Sequence, residues 1–414
     1  MKKITVLLFL FFTACGKTPR LAKSFEDQKV TEVRVGLDVL LDEKLSLIKG
    51  KSIGLVTNHT GIDGNGIPNY ERFMAINDVD LKIIFSPEHG LFGEVAAGEK
   101  VKYDGQMKSL PRVVSLYGKN RKPSIEQLTG LDIIIYDIQD IGARFYTYIS
   151  TLGLVMESAA DANIQMIVLD RPNPITGHGV EGPLLDLNNQ SFVGYYPIPI
   201  RYGLTVGELA KMIAGEKWIK SNPELTIVSI KNWKRNQWLD QTNVEWVKPS
   251  PNIPDLETAI IYPGMCLMEA TNVNEGRGTQ KPFKQFGAPW VESNTLSKAL
   301  NKLDLNGVIF KPTNYTPIKI PGMATNPKHQ NIKCGGVEIF ITDRNKFNSV
   351  ITGLSILSTM AHLYPNNFKI NESGMNRLWG KSNLSTQIKS DLDIKSISQS
   401  SNFNQSSKQY LLYD

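Results

Sequence analysis

The chain has 414 residues, 41% apolar and 21% charged, an ordinary globular balance that excludes a wholly disordered or fibrous protein. Its length predicts two or three domains with a core that needs no disulfide staples. The net charge of +6 is slight for this length, and no long basic block interleaved with aromatics is present, so nucleic acid is not an expected partner.

At the start, Lys2 and Lys3 precede an apolar run from Ile4 to Phe12 that ends in Thr13-Ala14-Cys15. A charged start, a short apolar stretch and a small-residue boundary make a secretory signal, too short to span a bilayer. Cys15 falls where a lipobox cysteine falls. The reading is therefore a signal peptide over residues 1–14 and a diacylglyceryl group on Cys15, with a plain signal cut elsewhere as the alternative. Cleavage would leave 44 basic against 40 acidic residues. Residues 15–30 then comprise the lipidated cysteine and a polar tether. Cys266 and Cys334 either pair or stay as buried thiols, and the absence of any CxxC excludes a zinc ribbon.

From residue 33 the pattern changes. β-branched runs over Val33–Val39, Ser52–Val56, Leu81–Phe85, Asp132–Tyr136 and Gln165–Leu169 predict strands. Several are apolar without alternation, as in a parallel sheet buried on both faces. Helices are predicted over Tyr70–Asn77, over Tyr146–Ala162 and over Thr205–Ala214, the last opening with a capping box of Thr205 and Glu208. Residues 31–232 thus read as an α/β domain with a parallel sheet. Trp233–Pro254, rich in Asn, Pro and Trp, reads as a crossing segment. Strands at Thr258–Tyr262, Gly307–Phe310 and Val337–Thr342, with helices at Ser293–Leu303 and Asn348–Leu363, predict an α+β domain over 233–414.

Ligands of an open parallel sheet bind at the carboxyl ends of its strands. Those ends deliver Asn58 and His59, then Glu88 and His89, then Asp137, Gln139, Asp140, Arg144 and Tyr146, then Asp170, Arg171 and Asn173. This convergence of polar groups on apolar strands predicts a polar ligand rich in hydroxyls or amides. Glu88 follows a proline directly after a buried strand. A carboxyl there can be partly desolvated, which suits it to donate a proton; the alternative is a loop carboxylate at a helix N-terminus. Glycoside hydrolysis needs a second group besides the acid, and Asp140 is the first candidate, followed by Asp137, Glu94, Glu99, Glu181 and Glu269. Each of these could instead be a surface or salt-bridged acid.

Other chemistries lack support. His59 and His89 would need a third metal ligand, and no HExxH or close histidine pair supplies one, so no metal is expected. Gly61, Gly64 and Gly66 are spaced GxxGxG, not GxGxxG, so no dinucleotide or other cofactor is expected. Neither GxSxG nor a P-loop occurs. In the second half, Glu269-Ala270-Thr271-Asn272, Gly276-Arg277-Gly278 and the aromatics Phe283 and Trp290 form a stretch that could stack on a sugar and bond its hydroxyls.

Six motifs occur together in one order: SPEHG at 86–90, RPNP at 171–174, VEGP at 180–183, GLTVGELA at 203–210, PSPNIP at 249–254 and EATNVNEGRGTQKPFKQFGAPW at 269–290. The chain resembles the exo-β-N-acetylmuramidases of the NamZ type from about residue 33 to the terminal Tyr-Leu-Leu-Tyr. The resemblance implies a Rossmann-like N-terminal domain, a C-terminal α+β domain and an active cleft between them. It implies release of N-acetylmuramic acid from the non-reducing end of peptidoglycan fragments, with the catalytic glutamate at Glu88. His89 and Asp140 are the further catalytic candidates. Asn58, Arg144, Tyr146, Arg171, Asn173, Glu269, Asn272 and Arg277 lie in or beside the matching motifs and are the candidate cleft lining. One departure is Tyr202 before Gly203, where a histidine is expected.

The lactyl carboxylate of muramic acid would suit a bidentate arginine, with Arg144, Arg171 and Arg277 as candidates. The full reading is a periplasmic, lipid-anchored glycoside hydrolase acting on muropeptides. Its rival is a lipoprotein that binds muropeptides or other glycans without cleaving them.

Overall fold

Six strands run parallel in one sheet: β1 (Lys51–Thr57), β2 (Val79–Ser86), β3 (Arg112–Ser115), β4 (Ile133–Asp137), β5 (Gln165–Leu169) and β6 (Leu225–Val228). Their order is β3-β2-β1-β4-β5-β6, the doubly wound Rossmann-like arrangement, with the order reversing between β1 and β4. The computed structural model describes residues 32–96, 98–99, 109–390, 393–399 and 402–414; the expected signal peptide, Cys15 and the tether lie outside these described residues.

The unbroken apolar run of β4 is divided by the two-residue period of a strand. Ile134 and Tyr136 pack into one core with Leu152, Val155, Met156 and Ala159 of the helix Tyr148–Asp161. Ile133 and Ile135 face the other core, with Leu37 and Leu40 of the helix Gly36–Glu43 and Phe73 of the helix Asn69–Met74. Burial on both faces is why these strands lack polar alternation. The helix Val206–Gly215 starts at the expected capping box: Thr205 Oγ1 accepts from Glu208 N, and Glu208 Oε2 accepts from Thr205 N.

A second sheet is antiparallel, with β7 (Gln285–Ala288), β9 (Cys334–Ile341) and β8 (Val308–Tyr315) in that order. The helices Ser293–Lys302 and Ser349–Leu363 accompany it, close to their predicted spans. Both sheets belong to one compact unit, Glu32–Asp414. Cys266 and Cys334 are buried and unpaired.

Two predicted strands are not strands. In Val33–Val39 only Arg34 makes an isolated bridge, to Lys231, and a helix begins at Gly36. A Cβ on Gly36 would lie 2.4 Å from Asp170 N, so the glycine lets the chain turn against the end of β5. Thr258–Tyr262 lies inside the helix Leu256–Met265, capped by Asp255 Oδ1 accepting from Thr258 N. From Thr258 to Met265 every residue of that helix is buried, so it shows no amphipathic period to separate it from a core strand. It packs against the helix Ser349–Leu363 where Gly264 meets Ser349 and Gly353, a contact that admits no side chain at either glycine. The short strands β3, β6 and β7 were not predicted.

Candidate active site

A cavity of about 460 Å³ lies at the carboxyl end of the parallel sheet, and the second half of the chain supplies its other wall. Glu88 and His89 enter it directly after β2, and Phe145, Tyr146 and Thr147 enter it just before the helix Tyr148–Asp161. Tyr262, Glu269, Glu275, Arg277 and Lys328 come from the second half.

Glu88 is half-buried and held from several sides. Its Oε2 accepts from Thr147 Oγ1 at 2.6 Å and its Oε1 from Gly98 N at 3.1 Å. The Tyr117 hydroxyl also bonds to it, and burial, reinforced by the Glu88 charge, pushes that phenol's pKa up. These bonds fix the position of the carboxyl in the cavity.

His89 follows in the left-handed region, φ 71°, uncommon for a residue with a side chain. Its Nδ1 is 2.7 Å from Val95 O. A carbonyl only accepts, so Nδ1 carries the proton and Nε2 is left as an acceptor. Burial holds its pKa down, against the pull of Glu88, so the ring is neutral near neutral pH. His59 lies close enough to interact with it electrostatically and bonds through Nε2 to Lys248 O at 2.8 Å.

Across the cavity, Arg277 is presented between Gly276 and Gly278, with φ of 82° and 80°. Neither position has room for a side chain: a Cβ would come within 2.4 Å of Lys281 O or 2.6 Å of Ile318 O. Arg277 Nη2 donates to Glu269 Oε1 at 2.7 Å, its Nε lies 3.3 Å from Glu275 Oε1, and its guanidinium covers the Phe283 ring at 5.2 Å. Lys328 Nζ donates to Glu275 Oε2 at 2.9 Å and to the carbonyls of Met268 and Val273. Two acids and two cations thus alternate along this wall.

The structure brings Glu88, His89, Tyr146, Glu269 and Arg277 to one cavity and leaves the other six candidates outside its lining. Asp140 is not a second carboxylate of the cavity. It accepts from Gly142 N at 2.7 Å and from the Tyr202 hydroxyl, and burial pushes its pKa up to about 6. The departure at Tyr202 is therefore a buried support for Asp140. Arg144 is fully buried and donates to the carbonyls of Pro183, Ile198, Leu378 and Trp379, so it ties distant segments together and cannot clamp a ligand. Arg171 is taken by Asp137, with Nε to Oδ1 at 2.6 Å and Nη2 to Oδ2 at 3.0 Å.

Asn58 Oδ1 closes a local turn on Thr60, Asn173 binds Leu204 O, and Asn272 bonds to Asn367 O and Lys369 N. These six follow strands or lie in the motifs, yet a loop can leave a strand end in any direction. Sequence reasoning missed Glu275, Lys328, Thr147, Tyr117 and Asn252. Glu275 and Asn252 stood within quoted motifs, and the flanking Gly276 and Arg277 were the available signal for Glu275.

A Rossmann-like sheet with an acid-lined cavity at its carboxyl end, roofed by an α+β half, defines the class: an α/β protein built to bind a polar ligand between carboxylates. Family models narrow this further. The description "Exo-beta-N-acetylmuramidase NamZ, N-terminal" matches residues 53–257, and the corresponding C-terminal model matches residues 260–413. The chain belongs to the NamZ exo-beta-N-acetylmuramidase family. It is 40% identical over 415 aligned positions to the peptidoglycan beta-N-acetylmuramidase NamZ of Bacillus subtilis (strain 168), covering 99% of this chain and 97% of that protein. Among solved structures, one DUF1343 family protein of Bacteroides fragilis NCTC 9343 superposes with a TM-score of 0.85 at 34% identity, over 92% of this chain and 99% of that one. A second from the same organism gives 0.74 at 29% identity, over 93% and 99%.

Proposed function

We propose that this chain is an exo-acting peptidoglycan hydrolase that releases N-acetylmuramic acid from the non-reducing end of peptidoglycan fragments, with Glu88 as its general acid. The carrying observation is the fixed carboxyl of Glu88 facing a second carboxylate-bearing wall across one cavity. Protonation of the glycosidic oxygen by Glu88 lets the bond to the anomeric carbon break, and water completes the product with its hydroxyl. Glu269 and Glu275 are the carboxylates on the opposite side, and His89 Nε2 is a further proton acceptor in the lining.

Of the three arginines considered for the lactyl carboxylate, Arg277 alone lines the cavity, and we assign that role to it. The walls come from segments 31–232 and 233–414, which we read as two domains. The lysine-led apolar run ending at Cys15 supports export and lipid anchoring on the periplasmic side. The test is to incubate the purified protein with a muropeptide saccharide bearing N-acetylmuramic acid at its non-reducing end and to identify products by mass spectrometry. Free N-acetylmuramic acid with a shortened chain supports the reading; cuts at internal linkages, or an intact substrate, refute it.

A further inference from the structure

Two polar groups of the cavity lining lack well-formed partners, and they are chemically complementary. Asn252 is 3% exposed. Its Nδ2 donates to Met323 O at 2.7 Å, and because a carbonyl cannot donate, the amide cannot be turned over. That leaves Oδ1 as its acceptor end, and Oδ1 has no hydrogen-bond partner among the described residues. Tyr146 is 7% exposed, and its hydroxyl lies beside those of Ser250 and Tyr148 without a hydrogen bond of good geometry to either. Tyr148 spends its own hydroxyl proton on Pro249 O at 2.7 Å. Buried polar groups are nearly always paired, and unpaired ones at a cavity call for a ligand.

Aromatic rings form one side of this part of the lining. Tyr262 stands edge-on to Phe145 at 6.1 Å, to Tyr146 at 6.4 Å and to Phe283 at 4.9 Å, and Ile253 joins the same lining. One acceptor, one donor and an aromatic wall match a secondary amide bearing a methyl group. A hydroxyl would leave the apolar wall unused, and a free amine would set a cation against it.

We propose that Asn252 and Tyr146 form the subsite for the 2-acetamido group of the sugar. Asn252 Oδ1 accepts the amide N–H, the Tyr146 hydroxyl donates to the amide oxygen, and the aromatic wall receives the methyl group. This rests on the muramidase reading and adds to it the contact that selects an N-acetylated sugar, separate from the lactyl contact at Arg277.

The test compares chromogenic glycosides of N-acetylmuramic acid and of its de-N-acetylated form, with calorimetric titration of the two free sugars, in the purified protein, Asn252→Ala and Tyr146→Phe. A site built around a polar group discriminates strongly against ligands that lack it. The unaltered protein is expected to prefer the N-acetyl form by about 10-fold or more. Each variant is expected to lose roughly 10-fold on the N-acetyl form and to change little on the amine, so that the preference shrinks. Should Asn252→Ala fail to fold, the near-isosteric Tyr146→Phe carries the comparison. Variants that cleave and keep the full preference overturn the subsite alone. An unaltered protein that neither binds nor cleaves the N-acetyl sugar overturns the muramidase reading and the subsite with it.

Discussion

Thr147 Oγ1 and Glu88 Oε2 meet at 2.6 Å across 59 residues of chain. Thr147 is the residue that begins the helix Tyr148–Asp161, yet its hydroxyl makes no cap to that helix. It is directed instead to the carboxyl that follows β2, so the fold gives up a helix cap, typically about 1 kcal/mol, to fix Glu88.

Thr147 is therefore a positioning residue. Thr147→Val is expected to lower kcat about tenfold with little change in KM, the scale of one hydrogen bond to a charged group. Thr147→Ser should restore most of the loss. Equal falls with valine and serine, or a loss confined to KM, would contradict this role.

Arg277 should set sugar preference. With Arg277→Lys, which keeps the charge beside Glu269 and Glu275 but loses the planar fork, the ratio of kcat/KM for muramic over glucosamine glycosides is expected to fall by roughly tenfold. An unchanged ratio would remove Arg277 from lactyl recognition.

Arg144 should matter for stability and not for that ratio. Arg144→Met removes the guanidinium from four buried carbonyls, of which Ile198 O keeps the Leu185 N donor, and the expected loss is at least about 3 kcal/mol in denaturant unfolding. Its sugar preference, measured below the unfolding midpoint, should match the unaltered protein. A changed preference with unchanged stability would be the opposite result.

Stability should carry a pH signature from two buried acids. Burial raises Asp170 to about 7 and Asp140 to about 6, from 3.8 in the unfolded chain, although Tyr413 and Thr205 pull Asp170 the other way. The folded state therefore binds protons more tightly than the unfolded state between about pH 4 and 7, and these groups lose stability as pH rises through that window, by up to about 1.4 kcal/mol per pH unit each. Urea unfolding at pH 5 and pH 8 should show a smaller fall for Asp170→Asn than for the unaltered protein. Identical slopes would mean that Asp170 is not protonated in the fold.

Much of the sheet is legible in the sequence because period and burial agree. β5 occupies the predicted Gln165–Leu169, and the Thr205–Glu208 box starts a helix where expected. The helix Leu256–Met265 is not legible, since unbroken burial from Thr258 to Met265 erases its period. Glu88 is legible because it stands two residues past the end of the buried β2, and that strand end opens on the cavity. Arg144 and Arg171 are misleading for a related reason: their positions after β4 and β5 are right, but their guanidiniums turn into the protein to serve carbonyls and Asp137. Lys328 reaches the cavity only through contacts between distant segments, which no local pattern encodes.

The most direct measurement is release of chromophore from an N-acetylmuramic acid glycoside and from its N-acetylglucosamine counterpart by the purified protein and by Glu88→Gln. The account predicts release from the muramic substrate only, a fall of about 10² to 10⁴ in the variant, and substrate binding by the variant within a few-fold of the unaltered protein. Full activity in Glu88→Gln, or no release from either sugar while muropeptide still binds, would contradict it.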